Sequence, residues 1–570
     1  MTSETPHSAP RTPPAPLVLG TWTAPSDSPG GETPHTVTPL WDQALPASVW
    51  RGVLGDVEVR LETEGGPAAL WAARDGRRRR LATDLSAEHR VRLGPDGPQW
   101  LWVEGPVSTV TWSVETSVQL PPITVVVPTR LREDDALTQA ERFARMDCVH
   151  EVIVVDQGGT LDSSPDFARL LAQRPSIRLI TQPNLGGSGG YARGMLEAAA
   201  TPHHAVLLSD DDAVLSEESL RRMATFQALA STRTIMGAPL FSAERPDRLI
   251  ALAEAVRDGD FQWHASDGVR SPIDLGGTTP EQWSFLRRRG EPNYTGWWAT
   301  LFPPGTTADL GLPAPYFLKW DDAEYGLRAT EHGYRHVVLP GTSVHHPPWN
   351  AYRTQMSWTA KVLHRNRLAT AAAHGAGRGV LASSLLHQAK HILSGHLLTA
   401  ELWEEGIDAV LEGPEEWLSS DLLEARTRSA AVVKAWNREN ALPTDLSPTA
   451  AAPLRLPEAL LRALVTMVRP DGPPGTVITL PADEVHWRST LGADAVVVTG
   501  EDGTPEAAFA VRGPAMRRAA ARTLRSHARL ARHWQSLSRQ YGRALPQHTT
   551  TAAWTALLDA ASTDDDPGRK

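Results

Sequence analysis

Ile123-Thr124-Val125-Val126-Val127 opens the stretch that decides the fold. Three more short apolar runs follow it: Val152-Ile153-Val154-Val155, Ile177 to Ile180, and Ala205 to Leu208. Helix-length segments of mixed polarity separate them. Short β-branched runs alternating with helices read as strands buried on both faces, the pattern of a parallel, doubly wound α/β sheet. Ligands of such sheets sit at the carboxyl ends of the strands. Those ends read Pro128-Thr129-Arg130, Asp156-Gln157-Gly158, Asn184-Leu185-Gly186-Gly187 and Asp210-Asp211-Asp212. All are polar or glycine-rich, so the four ends are expected to build one site.

Outward from this region, both flanks change texture. Residues 1–38 are rich in Pro, Thr and Ser and read as a flexible lead-in. Residues 39–119 read as a small antiparallel β domain, sandwich or barrel: Val57, Val59 and Leu61 alternate with charged residues, and Asp75-Gly76 and Asp96-Gly97 supply hairpin-type turns. The run Arg77 to Arg80 reads as a solvated loop. Residues 120–375 form the α/β domain, and 376–560 a mainly helical region. That region carries a hairpin at Ala495 to Val511, turning at Asp502-Gly503, and a last helix from about Pro514 to Leu545. Residues 561–570 read as a disordered acidic tail.

Composition narrows the function. The chain has 570 residues, is 41% hydrophobic and carries a net charge of −10, so it affords a large core and lacks the basic excess of a nucleic-acid binder. One cysteine, Cys148, excludes an internal disulfide framework and a cysteine-built zinc site. No apolar run is long enough to span a bilayer and no secretory leader is visible, so a cytoplasmic location is expected. Twenty tryptophans exceed the seven tyrosines and nine phenylalanines combined. Their faces suit sugars, although most tryptophans are core residues.

The strand ends carry the chemistry. Gly187, Gly189 and Ala192 satisfy the G-x-G-x-x-A outline of a dinucleotide fingerprint. Four residues, Gln182 to Leu185, separate them from the strand, however, and three aspartates follow where one would serve a ribose. A glycine loop approaching a nucleotide diphosphate is the better reading. Strand alternation sends Asp210 and Asp212 to one side, where two carboxylates can hold a hard divalent cation; a helix cap is the plainer alternative. Asp564-Asp565-Asp566 repeats the tripeptide in a polar tail and carries no such meaning. Tyr294-Thr295-Gly296-Trp297-Trp298 offers stacking faces, Trp320-Asp321-Asp322-Ala323-Glu324 offers a general base, and His345-His346 a further metal ligand.

The succession VVVPTR, VVDQGG, QPNLGGSGGYARG, LLSDDDAVL, YTGWWA, KWDDAEYGLRA and VHHPPW resembles the GT-A, family 2 glycosyltransferases. More narrowly it resembles the actinobacterial galactofuranosyltransferases that build cell-wall galactan. The resemblance implies a GT-A nucleotide-sugar domain behind an N-terminal β domain. It implies inverting transfer of galactofuranose from a uridine diphosphate donor to a lipid-linked galactan. Pro128, Thr129, Arg132, Asp156, Gln157 and Asn184, with Gly186 and Gly187, would line the uridine diphosphate pocket. Asp210, Asp212 and His346 would hold manganese or magnesium. Trp297, Trp298 and Trp349 would shape the sugar site, and Asp322 would be the base, with Asp321 and Glu324 nearby. A rhamnosyl- or other hexosyltransferase of the same fold, or an inactive carbohydrate-binding scaffold, remains as an alternative. The sequence is compatible with a homo-oligomer.

A separate expectation concerns membranes. Val511 to Leu545 holds nine arginines and no acidic residue. A basic helix with Leu524, Leu530, Trp534 and Leu537 on one face would lie on an anionic leaflet, as a peripheral attachment.

Overall fold

A computed structural model describes residues 16–25, 36–85, 88–266, 272–286, 290–347, 357–415, 422–500 and 502–564. The central sheet has seven strands, in spatial order Ile177–Thr181, Val149–Asp156, Ile123–Thr129, Ala205–Leu208, Thr300–Phe302, Thr234–Gly237 and Arg335–Val338. The first four are the apolar runs of the sequence, and they are mutually parallel. Thr300–Phe302 runs antiparallel to both neighbours, so the sheet is mixed rather than purely parallel. Helices cover it closely: a Cβ on Gly194 would stand 2.0 Å from Val126 Cγ1, so glycine lets the helix Gly186–Ala198 settle onto the sheet.

A second, five-stranded sheet lies beside the first. It joins Val214–Leu215, Val344–His346, Leu240–Ser242, Arg248–Ala251 and Ile273–Asp274. Its pairing of Val214 with His345 brings the segment around His346 alongside the chain that leaves Asp212.

The N-terminal domain is antiparallel, as expected, and consists of two sheets. Leu17–Thr23, Val107–Val114, Glu58–Gly65 and His89–Arg92 form one. Arg77–Ala82, Ala69–Arg74 and Trp100–Glu104 form the other. Three expectations are corrected here. Leu17–Thr23, inside the presumed lead-in, is a strand paired with Val107–Val114, and Thr21 N donates to Glu218 of the α/β domain at 2.6 Å. Arg77 to Arg80 is an edge strand, not a loop. Asp75-Gly76 does turn a hairpin, but Asp96-Gly97 carries the chain from one sheet to the other. Trp41, Trp50, Trp102, Trp112 and Trp283 are fully buried, so much of the tryptophan surplus is core.

The C-terminal region is mainly helical. Its hairpin, Ala495–Thr499 with Pro505–Ala510, gains a third strand, Val477–Pro481, parallel to the first. The long helix runs Gly513–His548. Its apolar stripe faces inward: Leu530, Trp534 and Leu537 are buried against Leu368, Ile407 and Val410. Arg522 is paired with Glu401, Glu405 and Asp408. Of the four residues expected to touch a leaflet only Leu524 is exposed, which removes this helix as a membrane-lying face. The last helix, Thr551–Asp564, extends into the presumed tail, and Trp554 Nε1 donates to Pro313 O at 2.8 Å; residues 565–570 lie outside the described residues. Among the described residues no helix is long and apolar enough to cross a membrane.

Candidate active site

The glycine loop is built by side chains that satisfy backbone groups. Gln157 Nε2 donates to Gly186 O at 3.0 Å, while its Oε1 accepts from Leu185 N at 2.9 Å. Asn184 Oδ1 accepts from Gly186 N at 3.2 Å. Asp156 is fully buried, and its two oxygens accept from Gly158 N, Gly159 N and Leu161 N at 2.7, 3.1 and 2.9 Å. That carboxylate therefore shapes the loop that follows its own strand, Gly158 to Leu161. Gly186 has φ of +72°, and a Cβ there would stand 2.0 Å from Phe317 O. Only glycine permits this approach, which sets the loop against the segment that leads to Asp321. Pro128 packs across Gly190 of the same helix, where a Cβ would stand 2.6 Å from it.

At the fourth strand end the three aspartates divide as alternation predicts. Asp211 turns to the first strand, accepting from Thr129 Oγ1 at 2.7 Å and Arg132 Nη1 at 3.1 Å. Arg132 also donates to Asp212 Oδ2 at 2.7 Å, so it bridges both. Asp210, Asp212 and His346 face one another, with one ligand atom from each lying within 4.8 Å of the others. His346 Nε2 is 3.1 Å from Asp212 Oδ1 and 3.8 Å from Asp210 Oδ2. Its Nδ1 lies 2.6 Å from Pro347 O; donation there leaves Nε2 as the nitrogen turned to the carboxylates. Burial works against the Asp212 charge, but His346 and Arg132 hold its carboxyl at about 2. Burial pushes Asp211 up to about 6, against the pull of Thr129 and Arg132. Two carboxylates and one imidazole form a donor set that fits manganese or magnesium.

Asp321 and Asp322 open the helix Asp321–Glu331. Both carboxyls are held above the usual range, by burial first and, for Asp322, then by the charge of Asp321. Asp321 faces the glycine loop: a Cβ on Gly187 would lie 3.7 Å from its Oδ2. Asp322 is half-buried, accepts from Ala323 N at 2.7 Å, and also feels the charge of Glu254. Glu324 behaves differently. It is fully buried and held by Arg328 through two bonds, at 2.9 and 2.8 Å, with His374 at 3.7 Å. Burial opposes its charge, yet Arg328 and His374 bring its carboxyl down to about 2. A sealed, doubly paired carboxylate of that acidity takes up no proton from a substrate, so Glu324 is corrected from candidate base to structural anchor.

Trp297 is 5% exposed and packs edge-on against Tyr191 and Tyr325, at centroid distances of 5.1 and 5.9 Å. It is a wall of the site's support, not an open stacking face. Trp298 is half-buried, with its ring folded over Gly296. Trp349 lies outside the described residues.

Sequence reading missed two supporting groups. Tyr191 Oη donates to Asp210 Oδ1 at 2.6 Å, orienting the carboxylate that faces Asp212 and His346. Its position inside GGSGGYARG, directly after Gly190, was the available signal. Asn366 Nδ2 donates to Leu318 O and Lys319 O, both at 2.9 Å, and Arg365 Nη2 to Tyr316 O at 3.1 Å. They grip a loop in which Phe317, Lys319 and Trp320 all have φ near +70°, a conformation costing about 1 kcal/mol for each such side chain. That loop delivers Asp321 and Asp322.

Residues 121–371 match the family model described as glycosyltransferase like family 2, and residues 380–560 match galactofuranosyltransferase-2, domain 3. A protein of Mycolicibacterium smegmatis named Galactofuranosyltransferase GlfT2 is 30% identical over 578 residues, covering 90% of this chain and 87% of its own. Its namesake from Mycobacterium tuberculosis is 30% identical over 478 residues, covering 78% and 75%. With the mixed sheet and the strand-end site already in place, this similarity along both chains makes the present chain a glycosyltransferase of GT-A fold, and a member of the galactofuranosyltransferase family.

Proposed function

We propose that this protein transfers galactofuranose from its uridine diphosphate donor to a hydroxyl of a lipid-linked galactan, with inversion at the anomeric carbon and with manganese or magnesium bound. The observation that carries the reading is the convergence of Asp210, Asp212 and His346 beside a carboxylate pair, Asp321 and Asp322, whose pKa values are raised. Thr129, Arg132, Gln157 and Asn184 bind the uridine diphosphate end, and the glycine loop lets the backbone approach it. A divalent cation held by Asp210, Asp212 and His346 would supply counter-charge for the diphosphate.

Asp322 accepts the proton of the attacking hydroxyl. The new bond forms from that oxygen to the anomeric carbon, on the face opposite the departing group. The old carbon–oxygen bond breaks with its electron pair passing to the uridine diphosphate. A carboxyl raised by burial and by Asp321 is a better proton acceptor than an exposed aspartate. The acceptor's lipid places the reaction at a membrane surface.

A panel of uridine diphosphate sugars, assayed for nucleotide release with and without chelator and followed by linkage analysis of the product, tests this. Preference for the galactofuranose donor and loss of transfer in chelator are expected. Equal use of a pyranose or rhamnose donor, or full activity in chelator, overturns it.

A further inference from the structure

The run Arg77-Arg78-Arg79-Arg80 has no part in the transfer chemistry, yet its placement is unusual. Arg77–Ala82 is the edge of the three-stranded sheet, and His89–Arg92 is the edge of the four-stranded sheet. The two edges line one cleft of about 950 Å³. Six arginines border it, Arg74, Arg77, Arg78, Arg79, Arg90 and Arg92, against two aspartates, Asp75 and Asp96. Four of the six are answered by acids: Arg74 by Asp96, Arg78 by Glu104, Arg90 by Glu88 and Arg92 by Asp56. Arg77 and Arg79 are exposed and have no ion pair among the described residues.

We propose that this cleft is a binding site for a phosphate-bearing anion, of the diphosphate or phosphodiester class, distinct from the nucleotide pocket. Charged residues on an edge strand guard against edge-to-edge pairing, which does not require them to line a cleft. Here Arg77 and Arg79 stand two residues apart on the same face of one strand, and their unanswered like charges repel. A bound anion removes that repulsion. Guanidinium forks match phosphate oxygens two at a time, which a flexible ammonium does not. In a chain whose net charge is −10, an arginine-lined cleft is also where an anion is drawn by the local field.

The phosphate can come from a soluble diphosphate or from the headgroup of an anionic lipid, and two arms of one experiment separate them. In the first, inorganic pyrophosphate is titrated calorimetrically into the full chain without divalent metal, in an Asp210→Ala, Asp212→Ala background that disables the catalytic cluster. In the second, the unaltered chain is floated with vesicles of phosphatidylglycerol and phosphatidylcholine, or of phosphatidylcholine alone, at low and high salt. Arg77→Ala with Arg79→Ala is expected to weaken pyrophosphate binding about tenfold or more, or to abolish salt-sensitive retention on the anionic vesicles. Transfer to a short soluble acceptor, measured with Asp210 and Asp212 intact, is expected to be unchanged. Arg79→Ala alone serves if the double variant misfolds. Pyrophosphate binding with vesicle indifference assigns the soluble source, and the reverse assigns the headgroup. No binding in either arm, or binding that the arginine variants leave unaltered, overturns the proposal.

Discussion

At the strand ends, burial first of all lifts Asp211, Asp321 and Asp322 above the ordinary carboxylate range, and neighbouring carboxylates add to the effect. In the helical bundle next door, burial pushes His391 down to about 3 and His396 to about 4, and His364 is lowered too, with its ring stacked 3.7 Å from Trp403. Both regions bury titratable groups. The bundle keeps His364, His391 and His396 neutral and pairs its charges, as Glu324 with Arg328 does at the boundary. The strand-end site gathers like charges and leaves them strained. On the proposed function, that difference separates structural burial from functional burial: a carboxylate cluster held at electrostatic cost serves a cation and a proton rather than folding.

The largest test of that contrast removes the cluster. Asp210→Ala, Asp212→Ala or His346→Ala is expected to reduce transfer by on the order of a thousandfold or more, with circular dichroism unchanged. A fold that collapses instead would place these residues with the structural group. Glu324→Gln should do the opposite, lowering unfolding free energy by about 3 kcal/mol because Arg328 is left buried with a weakened partner. Denaturant unfolding measures it, and a variant of unchanged stability would break the distinction.

Asp322→Asn sharpens the contrast within one helical turn. It should lose about a hundredfold in transfer rate while retaining donor affinity, and the acidic limb of the pH–rate profile should go with it. In the parent, activity is expected to rise with pH as Asp322 gives up its proton, above the range of an ordinary aspartate. Near-normal turnover in Asp322→Asn, with loss in Asp321→Asn, would move the base by one residue.

A further test lies in stability against pH. A histidine held low in the folded state takes a proton more readily unfolded, so the bundle's contribution falls as pH drops below about 6.5. Each such histidine costs up to about 1.4 kcal/mol per pH unit until its folded value is reached. The raised carboxylates have the opposite sign: their contribution is complete in acid and is lost as pH rises through their folded values. Hydrogen exchange, corrected for intrinsic pH dependence, should therefore show the helices Gly379–Leu393 and Leu397–Glu412 opening between pH 6.5 and 4.5 before the helix Asp321–Glu331 does. Simultaneous opening would contradict the opposed signs.

Much of this arrangement is legible in the sequence. The four parallel strands lie where the β-branched runs place them, because local periodicity and burial on both faces leave few other options. Leu17–Thr23 was hidden by its proline-rich surroundings, since what makes it a strand is a partner some ninety residues away. Thr300–Phe302 gives no sign of its direction, because strand polarity is set by the connections around it.

What the sequence determined by itself was the order of elements, the polar strand ends, the division of labour within Asp210-Asp211-Asp212 and the family to which the motifs belong. These follow from periods of two and 3.6 and from residue chemistry at fixed spacing. Only the tertiary structure decided that Glu324 is sealed by Arg328 while Asp322, two residues earlier, is half-buried beside Asp321. It alone turned Leu530, Trp534 and Leu537 inward, set Tyr191 on Asp210, and made Arg77–Ala82 the wall of a cleft. Asp321 and Asp322 are neighbours and Glu324 and Arg328 lie one helical turn apart, but the burial that sets their charges comes from packed neighbours distant in the chain, and no local pattern of residues encodes it.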